Sequence, residues 1–535
     1  MGYYLNSSKV LSLYESEVKK PYFVDKTEML GELIPLVEQG NNHICITRPR
    51  RFGKSVMASM IGAFFSKGFD SSNIFDSLKI ASAEKYREHL NQHNVVYVDF
   101  SEAANDCSDY QEFIATIKEI LQEDLRESFP AVRFRTKGTV TQDLRMIHEY
   151  TGVSFIFVFD EWDCIFHKRY ITGDDKENFI NFLASLTKGT GYVSLSYMTG
   201  VLPIAKYSSG STINNFFEYT MATDDLFSEY FGFTDVEVDE LYARYEARTQ
   251  NCLIKREDLK YWYDGYHTPS SERMYNPRSV VEALTRNQIR SYWKATGSYS
   301  EISAYIMNDR ANVKKDVALM VAGEAVKANI EEFAATAMNL STRNEILSAM
   351  VVYGFLNYED GKVHIPNKEL MDEFARIIRE KEDLGYIYNL AVASDQMLSA
   401  TLKGDTKKME EILQYAHDTE APLLDYNNET ELTAVVNLVY LSARDSYYVE
   451  RENKAGQGYV DFIFYPEKQG DDGIILELKI DDTPEAAIQQ IKDRKYILKF
   501  QGKMAEKKRH TGRILMVGIG YSKKDKEHHC KIEVV

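Results

Sequence analysis

Four short apolar runs, separated by helical patterns, constrain the fold of residues 1–235. The runs are HICIT (43–47), VVYVDF (95–100), FIFVFDE (155–161) and YVSLSYMTG (192–200). Between them, apolar residues recur at helical spacing, as in SVMASMIGAFFS (55–66) and DYQEFIATIKEILQEDL (109–125). Buried strands that alternate with helices are typical of a parallel sheet covered on both faces. We therefore expect an α/β domain over residues 1–235.

After residue 235 the pattern becomes mainly helical, and the first helical region covers residues 236–300. The segment TDVEVDELYARYEAR (234–248) leads into it, with Thr234 before the helix and Glu237 three residues later. This pair is the signature of a capping box, in which each side chain bonds a backbone N–H of the other residue. We interpret residues 236–300 as a helical lid.

Two further regions are predicted after residue 300. In residues 301–385 a helix, the hairpin segment NYEDGKVHIPN and a second helix follow one another, with Asp360 and Gly361 as the turn. That order is typical of a winged-helix-like segment. In residues 386–535, helices precede the strand patterns YVDFIFY, GIILELKI and RILMVGIGY, with a helical AAIQQIKDRKYILKF before the last one. We therefore expect a second, C-terminal α/β domain.

Charge and cysteine content limit the partners of the chain. The 535 residues carry a formal net charge of -17, but residues 486–535 hold 13 basic and 5 acidic residues, a local charge of +8. This basic region is either a surface that binds DNA or a solvated lysine-rich face, while the acidic remainder suits protein partners or self-association. Five cysteines, an odd number without a C-x-x-C pair, argue against structural zinc and against a disulfide framework. Without a signal layout or a membrane-length apolar run, we expect a cytoplasmic protein that does not contact a membrane.

The segment ITRPRRFGKS (46–55) lies between the first strand pattern and the first helix pattern. It ends like a phosphate-binding loop, although Arg48 stands where the pattern G-x-x-x-x-G-K-[ST] has its first glycine. In such a loop, backbone N–H groups at a helix start hold phosphates, Lys54 reaches the β/γ-phosphates and the Ser55 hydroxyl ligates Mg²⁺. The alternative is a chance GKS in a basic loop. The predicted ATP-contacting residues are Arg48, Pro49, Arg50, Arg51, Phe52, Gly53, Lys54 and Ser55.

Two acidic residues at the end of the third strand pattern favour the nucleotide interpretation. Asp160 and Glu161 are adjacent, and two acids at a buried strand end are costly unless a cation accompanies them. We expect Asp160 to help hold Mg²⁺ and Glu161 to position or deprotonate the attacking water. Thr199, at the end of the fourth strand pattern, is either a γ-phosphate contact or a hydrogen-bonded strand-end residue. Lys206 is a further candidate for stabilising charge.

A second set of charged residues interrupts the C-terminal strand patterns. Asp461 lies in YVDFIFY, and Glu477 and Lys479 are two positions apart in GIILELKI, so they point to the same face of a strand. Two carboxylates offer the oxygen ligands that Mg²⁺ or Mn²⁺ takes, and such a metal polarises a phosphodiester and helps to form hydroxide. By spacing alone, the same triplet also fits an exposed edge strand.

A series of motifs along the chain resembles one family. The motifs are YFVDKTEML, RPRRFGKS, FVFDEWD, MTGVLPIAKYS, FGFTDVEV, WYDGYHT, YNPRSV and AIQQIKDRKY, in that order. Together they resemble bacterial AAA-ATPase-like proteins with a C-terminal PD-(D/E)XK nuclease-superfamily domain. In that family the loop commonly reads RPRRFGKS, so Arg48 follows the family pattern, whereas Arg278 stands where the family often has Trp.

The resemblance implies a P-loop NTPase domain, a helical lid, a winged-helix-like segment and a nuclease-like α/β domain. To Asp461, Glu477 and Lys479 it adds an acid from a preceding helix, Glu429 ahead of Glu431, and Gln490 from the following helix. Trp262, Tyr263, Tyr275 and Asn276 either contact the nucleotide or form the core of the lid, and we favour the core. The winged-helix-like segment either binds DNA or packs.

These patterns lead to two hypotheses about function. In the first, ATP binding and hydrolysis gate a metal-dependent nuclease that acts on nucleic acid. In the second, the chain is a nucleotide-switched interaction or DNA-binding protein whose nuclease-like domain does not cleave. Both hypotheses require ATP and Mg²⁺ at the first site. The first also requires Mg²⁺ or Mn²⁺ at the second.

Overall fold

The computed structural model forms two compact units. One, the N-terminal unit, comprises Met1–Ala295 and Ala328–Glu369, and the other, the C-terminal unit, comprises Thr296–Lys327 and Leu370–Val535. The finer division at residues 235, 300 and 385 stays a prediction. The structure describes all residues except 1, 104–106, 169, 205–214, 222–223, 271, 294–312, 331–339, 341, 381–385, 418–428, 451–460 and 507–511.

The secondary structure follows the periodicity of the sequence closely. The strands are β1 Asn42–Thr47, β2 Asn94–Asp99, β3 Phe155–Asp160, β4 Val193–Gly200, β5 Phe217–Thr220, β6 Tyr266–His267, β7 Arg273–Met274, β8 Val326–Lys327, β9 Asn357–Glu359, β10 Lys362–His364, β11 Tyr447–Glu450, β12 Phe462–Pro466, β13 Gly473–Ile480, β14 Ile514–Ser522 and β15 Glu527–Val534. The helices are α1 Lys9–Val18, α2 Glu28–Gln39, α3 Lys54–Phe65, α4 Ser72–Phe75, α5 Tyr86–His89, α6 Phe100–Ala103, α7 Tyr110–Ser128, α8 Val140–Thr151, α9 Gly173–Thr187, α10 Asp235–Arg248, α11 Arg256–Tyr263, α12 Pro277–Arg286, α13 Val313–Val321, α14 Arg343–Val352, α15 Lys368–Glu380, α16 Tyr386–Lys403, α17 Thr406–His417, α18 Glu429–Val439, α19 Pro484–Asp493 and α20 Tyr496–Glu506. The first four strands confirm the predicted apolar runs to within a residue at each end.

A five-stranded parallel sheet organises the N-terminal unit. Its strand order is β2-β3-β4-β1-β5, and each neighbouring pair is parallel. Every residue of β3 is buried, which explains its unbroken apolar run. Because the strands are parallel, their carboxyl ends meet at one edge of the sheet, where ligands bind in open α/β sheets. Thr47, Asp160 and Gly200 lie at that edge.

The helices after the sheet bury an aromatic core. The predicted capping box of α10 is confirmed, because the Thr234 side chain accepts from the Glu237 backbone N–H at 3.3 Å and Glu237 accepts from the Thr234 N–H at 2.9 Å. Tyr263 and Tyr275 are fully buried in the core of this region. Asn276 caps α12 by accepting from the Ser279 backbone N–H. Trp262 is partly buried against the same cluster, so these positions favour the core interpretation of the four residues.

The predicted hairpin of the winged-helix-like segment is also confirmed. Strands β9 and β10 pair in antiparallel fashion around Asp360 and Gly361, which both have positive φ angles, 49° and 74°. Two successive positive φ values define the tight turn whose twist matches a hairpin, and Gly at the second position adopts its value without strain.

A second five-stranded sheet organises the C-terminal unit. Its order is β11-β12-β13-β14-β15, with β13 and β14 parallel and the other pairs antiparallel. Helix α19 packs on β13 and β14. The segment AAIQQIKDRKYILKF, which the sequence predicted to be helical, is confirmed as helical but is divided between two helices, α19 and α20. Lys495 adopts a left-handed conformation with φ of 56°, which ends the first helix before α20 begins.

Among the residues that the structure describes, no helix combines the length and the apolar character needed to cross a bilayer.

Candidate functional site

The phosphate-binding segment connects β1 to α3 at the carboxyl edge of the parallel sheet. Gly53 precedes the helix with φ of 92°, a left-handed conformation that favours glycine. No side chain caps the start of α3, so its first backbone N–H groups are available to an anion. The buried Lys54 donates through Nζ to the carbonyl oxygens of Arg48 at 3.1 Å and Pro49 at 3.2 Å. Its ammonium group therefore lies over the loop.

Asp160 and Ser55 meet beside the loop. Strand β4 separates β3 from β1, but the shared edge brings Asp160 to the start of α3, where the Ser55 side chain acts to lower its pKa. Burial is the largest cause that raises the pKa of Asp160, the charges of Glu161 and Asp99 act in the same direction, and the resulting pKa is about 7. A buried carboxylate with acidic neighbours is stabilised by a divalent cation. Ser55 and Asp160 together therefore fit the hydroxyl and carboxylate that Mg²⁺ requires.

Glu161 occupies a strained position next to Asp160. Its φ of 49° is left-handed, and its backbone N–H donates to Asp160 Oδ1 at 3.0 Å. Burial raises the pKa of Glu161, while the charge of Lys54 lowers it. A non-glycine residue in this conformation is held there by its surroundings, and such positions cluster at functional sites. The Glu161 carboxyl is thus directed beside Lys54.

A cavity of about 570 Å³ opens in front of the loop. This volume lies within the range of small-molecule sites. Of the predicted nucleotide-contacting residues, the cavity is lined by Arg51, Phe52, Gly53, Lys54, Ser55 and Glu161. The sequence prediction omitted Tyr22, Phe23, Lys26, Phe233 and Arg278, which complete the walls with aromatic and cationic groups. Their only signal in the sequence was their membership of the family-like motifs.

Arg48, one of the predicted ATP-contacting residues, is buried beneath the loop rather than exposed at its surface. Its side chain is 1% exposed and donates through Nη1 to the carbonyl oxygens of Thr47 at 2.8 Å and Tyr219 at 2.9 Å. The guanidinium stacks on Phe231, and burial lowers its pKa to about 10. Arg48 and Pro49 line a separate cavity of about 300 Å³. Their contact with a nucleotide stays a prediction.

Two of the other three candidates, Thr199 and Arg50, lie within the described residues. The Thr199 hydroxyl donates to the Ile46 carbonyl at 3.0 Å, the strand-end alternative considered for it. Arg50 lines a third cavity, of about 270 Å³, together with Glu161 and Asp163. Lys206 lies outside the described residues.

Arg51 ties the loop to the segment after the lid helices. It adopts a left-handed φ of 72° and donates through Nη1 to the Tyr292 carbonyl at 2.5 Å. Burial, and to a smaller extent the charge of Arg278, lower the pKa of Arg51 to about 10. The loop is therefore anchored at two places, by β1, which precedes it, and by the hydrogen bond from Arg51 to Tyr292.

The second site gathers Asp461, Glu477, Lys479 and Gln490 in the C-terminal unit. Asp461 precedes β12 and its Oδ2 accepts from the Leu478 backbone N–H at 2.7 Å, while its own N–H lies 3.3 Å from Glu477 Oε2. Lys479 Nζ contacts Gln490 Oε1 at 2.6 Å and Glu477 Oε1 at 3.4 Å. Gln490 Nε2 also donates to Glu477. The four predicted residues thus form one hydrogen-bonded cluster.

The charge balance of this cluster suits a cation. Burial and the neighbouring Asp461 charge raise the pKa of Glu477, and the charge of Lys479 lowers it. The net result is a pKa of about 8. Two carboxylates held this close repel each other, and a divalent cation between them relieves that repulsion. Asp461 and Glu477 therefore fit the oxygen donor set of a Mg²⁺ or Mn²⁺ site. Glu429 begins α18, but its side chain lies outside the described part of the chain.

Acidic neighbours pair with much of the basic C-terminal region. Side chains from this region pair with acids as follows: Lys492 with Glu533, Lys499 and Lys503 with Glu450, Arg513 with Asp472, Lys523 with Asp481, and Lys531 with Glu485. The formal charge of +8 is therefore partly neutralised inside the unit, which favours the solvated-face alternative for these residues.

Comparison with known families defines the class of protein. Residues 14–209 match the family described as predicted AAA-ATPase, and residues 428–525 match the PD-(D/E)XK nuclease superfamily. The two matched ranges contain the phosphate-binding loop and the Asp461–Gln490 cluster. The chain is therefore an α/β protein with an AAA-ATPase-like domain and a C-terminal PD-(D/E)XK nuclease-superfamily domain. The family resemblance read from the motifs is confirmed.

Individual relatives are more distant. An uncharacterized protein in the vnfD 5′ region of Azotobacter chroococcum is 24% identical over 282 residues, 52% of this chain and 51% of that protein. The chain thus spans about half the length of that curated relative. Among solved structures, the Walker-type ATPase of Pyrococcus abyssi is 12% identical with a TM-score of 0.38, covering 66% of this chain and 96% of that one. The ORC2 protein of Aeropyrum pernix, in ADPNP-ADP complexes, is 11% identical with a TM-score of 0.31, covering 70% and 93%.

Proposed function

We propose that the protein hydrolyses ATP at the phosphate-binding loop and that its nucleotide state gates a metal-dependent nuclease activity at Asp461, Glu477 and Lys479. The observation that supports this proposal is that each site brings its lysine and its acids together among the described residues. The loop has its lysine, hydroxyl and strand-end acids. The second site has both carboxylates, the lysine and the glutamine in one cluster.

At the first site the residues divide the work of phosphoryl transfer. The N–H groups at the start of α3 and the Lys54 ammonium hold the phosphates, and Ser55 with Asp160 holds Mg²⁺. When bound, Mg²⁺ neutralises charge on the phosphate oxygens. Glu161 accepts the proton of the attacking water, because its carboxyl lies at the cavity wall and its raised pKa brings it nearer to neutral pH.

At the second site Asp461 and Glu477 hold the metal, which when bound polarises the scissile phosphate. Lys479 stabilises the negative charge that develops on the phosphate or orients the water. Gln490 is a positioning residue, since it bonds both Lys479 and Glu477 and so fixes the direction of each side chain. The substrate class is nucleic acid. None of the five cysteines, all of which the structure describes, is in a disulfide, which suits the reducing conditions of a cytoplasm.

A comparison of three proteins tests this proposal. Plasmid and linear DNA are incubated with Mg²⁺ or Mn²⁺, with and without ATP, and with wild type, Lys54→Ala or Lys479→Ala. We expect wild type to cleave DNA in an ATP-dependent manner and Lys479→Ala to cleave none. For Lys54→Ala, the addition of ATP should not change the extent of cleavage. Wild type that cleaves neither DNA while hydrolysing ATP would contradict the nuclease part alone. Wild type that hydrolyses no ATP and gains no thermal stability from Mg-ATP would contradict the ATPase part.

The second hypothesis, in its form of a nucleotide-switched interaction protein, is favoured by one observation. Basic side chains of the C-terminal region are engaged in ion pairs, which leaves less charge for a phosphate backbone. If wild type binds DNA or a protein partner in an ATP-dependent manner without cleaving, this hypothesis replaces the first.

A further inference from the structure

Two histidines and a glutamate gather on the hairpin side of the N-terminal unit, and none of the three lines the cavity in front of Lys54 and Ser55. His267 ends the short strand β6, Glu359 ends β9 and His364 ends β10. One ligand atom from each of the three side chains lies within 4.8 Å of the other two. The proposed ATPase and nuclease chemistry uses none of them.

The topology explains how these three residues meet. In the antiparallel hairpin His364 is the partner of Asn357, so their side chains share one face of the hairpin, and Glu359 is on the same face two positions further along β9. Strand β6 lies against this hairpin, where the His267 backbone N–H donates to Asn357 Oδ1 at 2.9 Å. Three separate strand ends therefore converge at one point.

Asn357 holds His267 against the hairpin through both ends of its amide group. Its Oδ1 accepts the backbone bond, so its amide group Nδ2 is the atom that faces His267 Nδ1, at 3.1 Å. This nitrogen also lies 3.9 Å from Glu359 Oε2. Imidazole nitrogens and carboxylate oxygens are both zinc ligands.

A cavity next to the cluster gives access to it. The cavity of about 300 Å³ is lined by His267, Asn357 and Tyr358, and also by Arg48 and Pro49. The three side chains are only partly buried. A metal held by three protein ligands at this position keeps a coordination position for water or for a ligand in the cavity.

We propose that His267, Glu359 and His364 form a binding site for a divalent transition-metal ion of the zinc type. Two imidazoles and one carboxylate suit zinc and related first-row ions, whereas Mg²⁺ takes oxygen ligands. The site is distinct from the proposed Mg²⁺ positions at Ser55 and Asp160 and at Asp461 and Glu477. The cysteine argument made from the sequence does not apply here, since no cysteine takes part. The three ligands are spread over 98 positions of sequence, counted from 267 to 364, so no local motif reveals them.

Zinc binding to the full-length chain tests the proposal. The protein is stripped with EDTA, and Zn²⁺ affinity is measured by competition with a chromophoric chelator in excess Mg²⁺, which occupies oxygen-rich sites. The variants are His364→Gln and the shape-conserving Glu359→Gln. The controls are His529→Gln, which changes an exposed histidine elsewhere, and Asp461→Asn. We expect wild type and both controls to bind one Zn²⁺ ion tightly per chain, and both test variants to bind Zn²⁺ with an affinity at least roughly 10-fold lower.

Two further readouts keep the test decisive if a variant folds poorly. Co²⁺ bound to wild type should give the visible absorption of a nitrogen-ligated site, and Zn²⁺ should raise the melting temperature of wild type. Wild type without a tight equivalent, or test variants that bind Zn²⁺ as wild type does, would overturn the proposal. So would a tight equivalent that Asp461→Asn removes. In these cases the cluster is an ion pair of Glu359 with His267 and nothing more.

Discussion

At the residue scale, the proposed role of Glu161 as the base can be tested with a single substitution. It lies at the wall of the cavity beside Lys54, and burial raises its pKa. We expect Glu161→Gln to keep ATP binding, because the amide has nearly the same shape, and to lower ATP turnover by roughly 10²–10⁴-fold, because it cannot accept a proton. Binding of a fluorescent ATP analogue and phosphate release measure the two effects.

A matched control for this prediction lies on the same cavity. Glu282 lines the cavity too, but it pairs with Arg286 at 2.6 Å. Glu282→Gln should therefore leave turnover within about two-fold of wild type, since an exposed pair of this kind contributes little. If Glu161→Gln loses binding in parallel with turnover, Glu161 is a structural residue and its role as a base is wrong.

The pKa of Glu477 predicts how metal-free stability depends on pH. Burial and Asp461 raise this pKa to about 8, so between the ordinary value near 4.5 and 8 the folded protein binds the proton more tightly than the unfolded chain. Stability therefore falls as pH rises through this window. Glu477→Gln removes the titration, so in EDTA its melting temperature relative to wild type should rise between pH 5 and pH 8.5. A constant difference across this range would show that the carboxyl ionises normally.

Added Mn²⁺ provides the control for that prediction. A cation between Asp461 and Glu477 favours the ionised carboxylates, so wild type should regain stability at pH 8.5, while Glu477→Gln should gain much less. Equal stabilisation of the two proteins would place the Mn²⁺ effect at another site.

Single residues show where prediction from sequence works and where it stops. Lys54, Asp160 and Glu161 were predictable because their positions follow from strand ends and a helix start. Arg48 was not, because whether its side chain points into the cavity or under the sheet edge depends on Tyr219 and Phe231, which follow it by about 170 positions or more. Charge on a loop indicates a phosphate site only where the fold turns that charge toward the ligand.

At the element scale, the capping box of α10 gives a prediction that the sequence already contained. Thr234 accepts from the Glu237 backbone N–H, which has no partner within the first turn of the helix. Thr234→Ala should lower the free energy of unfolding by about 1 kcal/mol, and Thr234→Ser, which keeps the hydroxyl, by much less. Urea denaturation measures both. Equal losses would mean that the methyl group rather than the hydroxyl matters.

A buried carboxylate joins elements that the sequence did not connect. Glu369 is 1% exposed and accepts from Ser279 Oγ at 2.8 Å and from the backbone N–H groups of Tyr292 and Trp293 at 2.5 and 2.9 Å. It thus ties the first turn of α15 to α12 and to the segment after it. From sequence, an acidic residue in the first turn of a helix is expected to face solvent, so the buried hydrogen bonds of Glu369 were not predictable.

Removal of that carboxylate should be costly. In Glu369→Ala three buried donors lose their acceptor, and each unsatisfied donor costs roughly 1–3 kcal/mol. We expect a loss of at least about 3 kcal/mol in urea denaturation, against about 0.5 kcal/mol or less for Glu282→Ala on α12. A loss as small as that of the control would mean that water replaces the carboxylate.

At the scale of the whole molecule, the two candidate sites belong to different compact units. The strand and helix periods predicted both α/β sheets, since each sheet has its own apolar runs. The division into two units was less accessible, because the second unit includes Thr296–Lys327 from the middle of the chain. Sequence patterns report local periods, whereas a unit that takes a distant segment depends on tertiary packing.

Gating between the sites has a thermodynamic consequence that can be measured without cleavage. If the nucleotide changes the affinity of the second site for DNA, DNA must change the affinity for ATP by the same factor, typically about 5–150-fold. The protein for this test carries Glu161→Gln and Lys479→Ala, so that neither ligand is consumed. ATP affinity is measured in Mn²⁺ with and without a DNA duplex, and DNA affinity with and without ATP. Equal factors above about five-fold support gating, and they are also expected of a nucleotide-switched DNA-binding protein. Affinities unchanged within two-fold in both directions would mean that the ATPase-like and nuclease-like domains act independently.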